Sequence, residues 1–500
     1  MSQHLLTFLI FLPVAAALVL LAIPAHYKAY YKWVALGVSL VQVLLALMII
    51  DAFTGLRGYQ FVERTTWIAV SFAFRVEYFV GIDGLSFPLV ILSVLVMLVA
   101  TISSWTVTDR SKGYFTLLLI LNGAVIGSFC ALDLLLFYLF FEFMLLPMYF
   151  LIGIWGGPNR EYASIKFFLY TLLGSILILL VIIGLYISAG TFDIPSLIVR
   201  ENSPWTILGW PFTRWAFLFL LIGFGIKLPM VPLHTWLPDA HVEASTPISV
   251  VLAALLLKIG GYGLLRVAYP LFPDAAVTMS VGVAFIGMLS IVYGAMNALA
   301  SKDFKRLIAY SSVSHMGFIL LGLASSTTEG ITGAVFQMTS HGLISAMLFL
   351  IAGVIYDRAH DRTISNYSGL ASKMPVYTSF VLVGFFATLG LPGMSGFIGE
   401  VMVFLGAFDS ELVPGWIALF SASGLIFAAG YCLWTIQRMF FGPFAVKGEA
   451  TMNDVDAREK LMLLPLSILI IVLGIFPQIL IKYINPFSQQ LVEIIQKSIN

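Results

Sequence analysis

Charged side chains are scarce in this sequence. Asp, Glu, Lys and Arg make up only 10% of its 500 residues, against about 25% in ordinary soluble proteins. The 26 Lys and Arg residues nearly balance the 25 Asp and Glu residues, which leaves a formal net charge of +1. A chain of this kind has no basic surface for nucleic acid and no acidic tail. Nucleic-acid binding is therefore excluded.

Cysteine is also nearly absent. The two cysteines, Cys130 and Cys432, lie far apart in apolar runs, without a CxxC motif or a Cys/His cluster to hold zinc, haem or an iron-sulfur cluster. A P-loop, a GxGxxG motif after a strand and a GxSxG elbow are missing as well. We therefore expect no metal, no cofactor and no redox centre in this chain, so its energy must arrive from elsewhere.

Apolar residues, in contrast, are abundant: hydrophobic side chains make up 60% of the chain, and the mean hydropathy is +1.01. A bilayer core of about 30 Å requires about 20 apolar residues per helix. The sequence predicts an all-α polytopic membrane protein without a soluble domain. About fourteen transmembrane windows lie near residues 4–24, 31–50, 84–107, 114–131, 134–154, 162–188, 214–234, 247–269, 277–299, 306–325, 330–356, 376–407, 415–441 and 461–482.

The ends of the chain and the loops indicate an orientation. The first window lacks a basic n-region, so we expect a membrane span and not a cleaved signal peptide. With the N-terminus outside, cytoplasmic loops hold about 15 of the 26 positive residues and outer loops about eight. Both termini are then outside. The tail from Pro486 has apolar residues at helical spacing, which predicts a short interfacial helix, with a frayed terminus as the alternative.

Six ionisable side chains interrupt six apolar segments: Glu142, Lys227, Lys258, His315, His341 and Glu400. A charge in a membrane span costs at least about 2.5–3.5 kcal/mol on insertion scales, so each is a candidate functional group. At 1.5 Å per residue, four of them fall about 13–17 Å into their segments, half of the core thickness: Glu142, Lys258, His315 and His341. Groups at one depth on separate helices can form a lateral proton relay.

Structural roles are the alternatives for these side chains. A buried Glu or Lys can belong to an ion pair between helices, and a buried His can be a neutral imidazole that bonds across a helix interface. Lys166 lies near the start of its segment, so snorkelling to the headgroups is expected. His234 and His241 flank Asp239, where a zinc site competes with a hydrogen-bond cluster at a helix end. The roles of Lys166, His234 and His241 stay open.

Two helices are predicted to be broken. Three prolines follow Lys227 in KLPMVPLHTWLPDAH, and LGLPGMSGFIGE places Pro392, Gly393, Ser395 and Gly396 at mid-segment, just before Glu400. Proline removes an amide donor and clashes with the preceding turn, so a helix cannot continue through these segments. Two broken helices in matching positions indicate inverted repeats with an ion path between them. Ordinary proline kinks are the alternative.

Four long segments carry a resemblance to a known family: FFEFMLLPMYFLIGIWG, KLPMVPLHTWLPDAHVEASTPISVVLAALLLKIGGYGLLR, SKDFKRLIAYSSVSHMGFI and GLPGMSGFIGEVMVF. Over nearly its whole length the chain resembles the antiporter-like proton-pumping subunits of respiratory complex I, most closely those of the chain M (mitochondrial chain 4) type. Mrp-type sodium/proton antiporter subunits, membrane-bound hydrogenase subunits and photosynthetic relatives of complex I belong to the same group.

The resemblance implies roles for particular side chains. Glu142 matches the acid of the fifth helix and Lys227 the lysine of the broken seventh helix, which the family uses as proton site and tuning partner. Lys258 matches the lysine of the eighth helix that links two half-channels.

In the second half of the chain, His315 and His341 resemble the central polar axis beyond that lysine. Glu400 matches the twelfth-helix acid of chain M, where sister subunits carry lysine. This difference separates the chain from those sisters.

The expected domains are helices 1–3 (residues 1–112), a first repeat with helices 4–8 (113–275), a second, inverted repeat with helices 9–13 (276–445), and helix 14 with the tail (446–500). The resemblance implies a proton-translocating subunit of a redox-driven NADH:quinone oxidoreductase. FMN, iron-sulfur clusters and quinone are then expected in partner subunits. The expected partners are antiporter-like membrane subunits on both sides and membrane lipid, in the inner membrane of a bacterial cell.

Two other functions remain open at this point. One is a subunit of an Mrp-type cation/proton antiporter driven by the ion gradient itself, or of a hydrogenase or photosynthetic relative. Glu400 in place of lysine favours the redox-driven pump. The other is a structural scaffold without transport, which predicts that neutral substitutions of the buried charges are harmless.

Overall fold

The fold is described from a computed structural model, which covers residues 4–71, 74–199, 206–207, 209–447 and 451–499. Helices up to the first break are α1 (Leu5–Ala22), α2 (Tyr30–Ala52), α3 (Ser86–Ser103), α4 (Ser111–Cys130), α5 (Leu134–Phe143), α6 (Leu145–Trp155), α7 (Arg160–Ala189), α8 (Ile194–Val199) and α9 (Phe212–Lys227). Beyond the break lie α10 (Trp236–Glu243), α11 (Thr246–Val251), α12 (Leu257–Gly263), α13 (Tyr269–Leu271) and α14 (Pro273–Thr278).

The remaining helices are α15 (Ser280–Ala300), α16 (Phe304–Ser325), α17 (Thr328–Ala359), α18 (Pro375–Thr388), α19 (Ser395–Asp409), α20 (Gly415–Phe440), α21 (Ala457–Ile475) and α22 (Gln478–Ile499). Three antiparallel strand pairs accompany them: β1 (Gln60–Ser71) with β2 (Phe74–Ile82), β3 (Thr206–Ile207) with β4 (Trp210–Pro211), and β5 (Tyr367–Ser368) with β6 (Ala445–Val446). Short 3₁₀ turns lie at Ala25–Tyr27, Ser104–Thr106, Ile364–Asn366 and Leu370–Ser372.

The helices have the lengths that a bilayer requires. Eleven helical segments of the described residues are long and apolar enough to cross a membrane, with α5–α6 and α11–α13 each taken as one segment, or up to twelve with the bent pair α21 and α22 as one span. This confirms the predicted all-α polytopic class. The predicted window 214–234 holds α9 and the non-helical stretch after it, and the window 376–407 holds α18 and α19 with a break between them. The total of about fourteen spans stays a prediction.

The hairpin of β1 and β2 was not expected, since the search for apolar windows passed over residues 60–82. The segment is rich in β-branched and aromatic residues, which favour strands. The hairpin also holds the start of α1: Glu63 Oε1 accepts hydrogen bonds from the amides of Leu6 (2.9 Å) and Thr7 (3.2 Å). A carboxylate at this position satisfies free amides and favours the positive end of the helix dipole.

The chain divides into two compact units. The first comprises Met1–Leu228, Leu255–Met279 and Lys482–Asn500. Within it, α4 is mostly buried and packs against α1, α3, α5 and α6, while α9 packs against α7 and α12. Large apolar side chains on α1, α2 and α7 are exposed, among them Leu18, Leu44 and Leu173. Apolar outer faces of this kind fit lipid or partner helices.

A buried ion pair ties the β-hairpin side of the first unit to its membrane helices. Arg266 donates to both carboxylate oxygens of Asp83, with Nη1–Oδ2 and Nη2–Oδ1 distances of 2.7 and 2.5 Å. Both residues are buried. Asp83 also accepts hydrogen bonds from the amides of Leu85 and Ser86 at the start of α3. The pair therefore connects a helix start with the segment around α12 and α13.

The second unit comprises Pro229–Ala254 and Ser280–Ile481. Its α17 is completely buried and packs against α11, α16, α18, α19 and α21. Small residues permit this packing: a Cβ on Gly333 of α17 would lie 2.7 Å from the amide nitrogen of Val403 in α19. The two helices that carry most of the predicted site residues of this unit therefore approach each other closely.

Both predicted breaks are present. α9 ends at Lys227, and the chain has no helix again until Trp236, because the prolines of the KLPMVPLH segment remove amide donors. α18 ends at Thr388 and α19 begins at Ser395, with Pro392 and Gly393 between them. The local sequence is sufficient to predict these breaks.

The C-terminal boundaries differ from the prediction. The last window was expected to end near residue 482, with an interfacial helix from Pro486. Instead α21 ends at Ile475, and α22 runs from Gln478 to Ile499 with Pro486 inside it, bent by 68° from α21. Pro477 explains the earlier start, because proline is favoured just at the beginning of a helix and disfavoured in a continuing one.

Candidate functional site

Glu142 lies on a locally distorted helix of the first unit. α5 ends at Phe143 and α6 begins at Leu145, in one apolar stretch. Pro147 has no amide hydrogen to donate to the carbonyl of Phe143, which explains the interruption. The Glu142 side chain is half-buried, and the neighbouring Phe143 is 62% exposed. The expected acid therefore lies near the surface of this chain and not in its deepest core.

Lys227 is the partner of Glu142 in the first unit. It is the last residue of α9 and is buried, so its ammonium group is favoured by the negative end of the helix dipole. Its Nζ lies 4.5 Å from the ring centre of Phe141 and interacts electrostatically with Glu142. The two side chains that the sequence indicated are therefore within electrostatic range of each other.

Lys258 is fully buried in α12. Two π-helical stretches, Leu252–Leu256 and Leu264–Ala268, flank this helix, and such distortions are frequent at functional sites. Gly260 permits the close approach of α12 to the end of α9, because a Cβ there would lie 2.6 Å from both Leu228 N and Phe224 O. The segment with Lys258 therefore packs against the helix end that carries Lys227.

His315 and Glu400 form a direct pair in the second unit. His315 Nδ1 of α16 lies 3.4 Å from Glu400 Oε1 of α19, and both side chains are buried. When Nδ1 carries the proton, it can donate to the carboxylate. The pairing was not predicted, because His315 and Glu400 lie in different helices and only the resemblance suggested a common axis.

Gln337 is a member of this cluster that the sequence reasoning missed. Its Nε2 lies 3.3 Å from His315 Nδ1, so the amide donates to the imidazole when Nδ1 is unprotonated. Gly399 makes room for Gln337, since a Cβ there would lie within van der Waals overlap of its amide oxygen. The His341 ring lies 5.3 Å from that of His315. The predicted site residues His315, His341 and Glu400 are thus brought together.

A separate group of cations holds the short helix α10 in the second unit. Lys305 Nζ donates to Ala244 O at 2.5 Å, and Arg362 Nη1 donates to Val242 O at 2.5 Å. Arg362 also pairs with Asp303 at 3.1 Å. These bonds satisfy carbonyls that a helix end leaves without partners, and the charges favour its negative dipole end. The basic run SKDFKR contains Lys305 and Asp303, but nothing in the run indicates that they meet α10.

The candidate metal ligands are packed among aromatic rings. His241 stacks on Phe349 with ring centres 4.4 Å apart, and the His234 ring lies 5.2 Å from that of Tyr293. Across the described residues, there is no group of three or more His, Cys, Asp and Glu side chains arranged to hold a metal ion. Lys166 is half-buried, with its Nζ 5.5 Å from the Tyr162 ring.

Asp133 caps the helix that carries Glu142. Its carboxylate accepts hydrogen bonds from the amides of Leu135 (3.0 Å) and Leu136 (2.9 Å), just outside the membrane-spanning segment. Burial disfavours the ionised form and raises the pKa of Asp133 to about 6, although these hydrogen bonds act in the opposite direction. Asp133 therefore titrates close to the physiological range.

Fold and site define a class: a helical multi-pass membrane protein with broken helices and paired ionisable groups inside the protein, which is the pattern of ion-translocating membrane subunits. The comparison with protein families makes this specific. A family described as NADH:quinone oxidoreductase/Mrp antiporter, transmembrane, matches residues 131–426. The chain belongs to this family, and the resemblance predicted from its motifs is confirmed.

Curated relatives match the chain from end to end. NADH-quinone oxidoreductase subunit M of Rhodobacter capsulatus is 44% identical, and the match covers 98% of this chain and 97% of the relative. The protein of the same name from Rickettsia conorii is 41% identical over 96% of both chains. NADH-ubiquinone oxidoreductase chain 4 of Chondrus crispus is 39% identical, covering 97% of this chain and 96% of the relative.

Solved structures have the same fold. A chain of respiratory complex I from Thermus thermophilus with bound NADH matches with a TM-score of 0.86 and 31% identity, covering 99% of this chain and 100% of that chain. A chain of the Mrp complex from Dietzia sp. DQ12-45-1b also has a TM-score of 0.86, at 20% identity, with 100% and 99% coverage. The second match shows the shared fold alone.

Proposed function

We propose that this chain is the proton-translocating membrane subunit, of the subunit M or chain 4 type, in a redox-driven NADH:quinone oxidoreductase. The observation that carries the proposal is the end-to-end similarity to NADH-quinone oxidoreductase subunit M, with 44% identity over 98% of the chain. The Mrp chain has the same fold but only 20% identity. Because the fold is common to both, the sequence similarity favours the redox-driven complex.

In this proposal Glu142 and Lys227 form the switch of the first unit. Moving one proton against about 150 mV takes about 3.5 kcal/mol. Two unit charges 4 Å apart interact by about 4 kcal/mol at an effective dielectric constant of about 20. Forming or breaking a Glu142–Lys227 ion pair is therefore large enough to load or release a proton. Lys258, on the helix that packs against the end of α9, is the next group of the relay.

The second unit carries the other end of the proposed relay, with His315, His341 and Glu400. His315 Nδ1 has two candidate partners, Gln337 Nε2 at 3.3 Å and Glu400 Oε1 at 3.4 Å. An unprotonated Nδ1 accepts from Gln337, whereas a protonated Nδ1 donates to Glu400. Proton arrival thus exchanges one hydrogen-bond partner for the other, which is the behaviour that a relay group needs.

The proposal extends to the surroundings of the chain. FMN, iron-sulfur clusters and quinone belong to partner subunits, and this chain supplies no redox chemistry. Antiporter-like neighbours on both sides and lipid cover its apolar faces, in the inner membrane of a bacterial cell with both termini outside. The domain limits at residues 112, 275 and 445 remain part of the proposal.

A cation/proton antiporter subunit is the second candidate, because the Mrp complex chain has the same fold and the fold alone does not separate the two functions. The two functions differ in their source of energy. A redox-driven subunit pumps when NADH is oxidised, without a requirement for sodium. An antiporter subunit exchanges a cation for protons when a gradient is imposed.

The test uses the complex purified through a tag on this chain and reconstituted into vesicles with quinone. NADH addition is expected to reduce quinone and acidify the lumen in sodium-free buffer, and flavin and iron-sulfur absorbance is expected in the co-purifying subunits. The chain purified alone should show neither absorbance. Sodium-dependent proton exchange without NADH-reducible partners would contradict the proposal and support the antiporter.

A further inference from the structure

We propose that Tyr431 on α20 is a positioning residue of the proton path: its hydroxyl holds an ordered water molecule against the Glu400 carboxylate, on a side of that carboxylate not occupied by His315. The inference rests on the proposed function, in which Glu400 exchanges protons. It adds a fourth helix, α20, to the cluster made by α16, α17 and α19.

Tyr431 and Thr435 present polar atoms inside the second unit. The two side chains are 1% and 0% exposed, and they lie one turn apart on the same face of α20. Neither Tyr431 Oη nor Thr435 Oγ1 makes a hydrogen bond to any described residue within ordinary distance and angle limits. Buried polar groups are nearly always hydrogen-bonded, either to protein or to ordered water. Two such groups on one helix face therefore point to bound water.

Glu400 is the ionisable group that this face of α20 meets. Tyr431 interacts electrostatically with Glu400, and the side chains of Ser311 and Cys432 are close to its hydroxyl. α20 packs against both α16 and α19. The Tyr431 hydroxyl is therefore in the neighbourhood of the acid without a direct hydrogen bond to it, which is the arrangement that a bridging water completes.

The cluster of His315 and Gln337 has the same property. His315 Nε2 and Gln337 Oε1 are buried and have no hydrogen-bond partner within the described part of the chain. Water that bridges such atoms typically makes about three hydrogen bonds. Unpartnered polar atoms thus lie on both His315 and Tyr431, the two side chains that interact with the Glu400 carboxylate, and this is more than a single packing defect.

The proposed step moves a proton from one oxygen atom to another, and no other bond changes. Protonated Glu400 gives its proton to the bridging water, which passes one of its own protons onward to a second water near Thr435. The Tyr431 hydroxyl donates to the first water throughout and keeps its own proton. Tyr431 therefore orients the water and is not itself a proton carrier.

Tyr431→Phe tests this role, since it removes the hydroxyl and keeps the ring. NADH-driven proton translocation by the assembled complex in vesicles is expected to fall by about two- to tenfold, the effect of one lost hydrogen bond. The infrared C=O band of protonated Glu400, assigned by its loss in Glu400→Gln, is expected to move to higher frequency. A residue that only fills space would not move this band.

Tyr377→Phe is the matched control. Tyr377 is buried in the same unit, but its hydroxyl donates to the carbonyl of Ile351 at 2.7 Å. Losing this bond should lower thermal stability, while proton translocation per NADH and the Glu400 band stay unchanged.

The outcomes separate this inference from the proposed function. Normal translocation and an unmoved band in Tyr431→Phe, with pumping blocked in Glu400→Gln, would overturn the role of Tyr431 alone. Absence of NADH-driven translocation in the unmodified complex would instead overturn the proposed function. If Tyr431→Phe does not assemble, NADH-driven proton translocation is measured in Thr435→Val instead. A lower rate of translocation supports the water path, and an unchanged rate overturns it.

Discussion

His315 Nδ1 and Glu400 Oε1 lie 3.4 Å apart in the interior of the second unit. A protonated imidazole nitrogen at this distance can donate to the carboxylate. The amide of Gln337 competes for the same nitrogen. Three side chains on three helices therefore meet at this cluster.

Substitutions of Glu400 test the acid of this pair. Glu400→Gln should block proton translocation, because the amide cannot exchange a proton, while Glu400→Asp should retain a substantial part. Glu400→Lys should assemble but fail to pump, since it places a cation beside His315. The measurement is NADH-driven acidification of vesicles, with Glu411→Gln on the exposed loop after α19 as control. Wild-type pumping in Glu400→Gln would remove Glu400 from the path.

Substitutions of Lys258 distinguish a role in a proton relay from a role in packing. The side chain is fully buried, so replacing it by Ala should abolish translocation if a titratable cation is needed there. Lys258→Arg keeps the charge but releases its proton only with difficulty, and we expect a smaller loss than with Ala. Lys302→Ala, on an exposed loop, is the control. Full pumping in both Lys258 variants would show that the central relay is wrong.

The Asp83–Arg266 pair is expected to support folding and assembly. Asp83→Asn or Arg266→Met alone should destabilise the first unit by about 3–5 kcal/mol, because each leaves a buried charge without its partner. The double variant should recover most of this loss. Thermal unfolding of the purified complex measures the effect. Additive losses in the double variant would mean that the two side chains do not act as a pair.

The titration of Asp133 should make the stability of the folded chain depend on pH. Its pKa is raised by burial to about 6, so the folded state binds the proton more tightly than the unfolded state. The free energy that protonated Asp133 contributes to stability is therefore complete below pH 3.8 and is lost as the pH rises through about 6. Asp133→Asn keeps the helix cap without titrating. The free energy of unfolding of Asp133→Asn, minus that of the wild type, should rise by up to about 3 kcal/mol between low and neutral pH.

Thermal unfolding of both proteins across this pH range gives the measurement. Aspartates that are exposed, such as Asp51, serve as the control when changed to Asn. A stability difference that does not vary with pH would mean that Asp133 keeps an ordinary acidity.

Local features of the sequence were sufficient for much of the fold. Apolar windows predicted the spans, and the prolines after Lys227 and around Pro392 predicted the two breaks, because helix formation and its interruption depend on nearby residues. The β1–β2 hairpin was missed since hydropathy windows do not detect strands. The α21–α22 boundary was missed because Pro486 was taken as a helix start instead of Pro477.

The site was predictable only in part. Charged residues in apolar segments stand out, so Glu142, Lys227 and Glu400 are predicted as candidates from the sequence alone. Gln337 and Tyr431 are uncharged and do not stand out. The Asp83–Arg266 pair joins residues 183 positions apart, and no local pattern indicates which distant charges will meet. Packing of separate helices determines these contacts.

Proton translocation by Glu142→Gln tests the central claim most directly. Glu142 is the electrostatic partner of the buried Lys227, and its amide variant removes the charge without changing the shape. The measurement is the number of protons moved per NADH oxidised in vesicles, with Glu161→Gln at the exposed start of α7 as control. We predict that the ratio collapses in Glu142→Gln and is unchanged in Glu161→Gln. A wild-type ratio in a fully assembled Glu142→Gln complex would contradict the account.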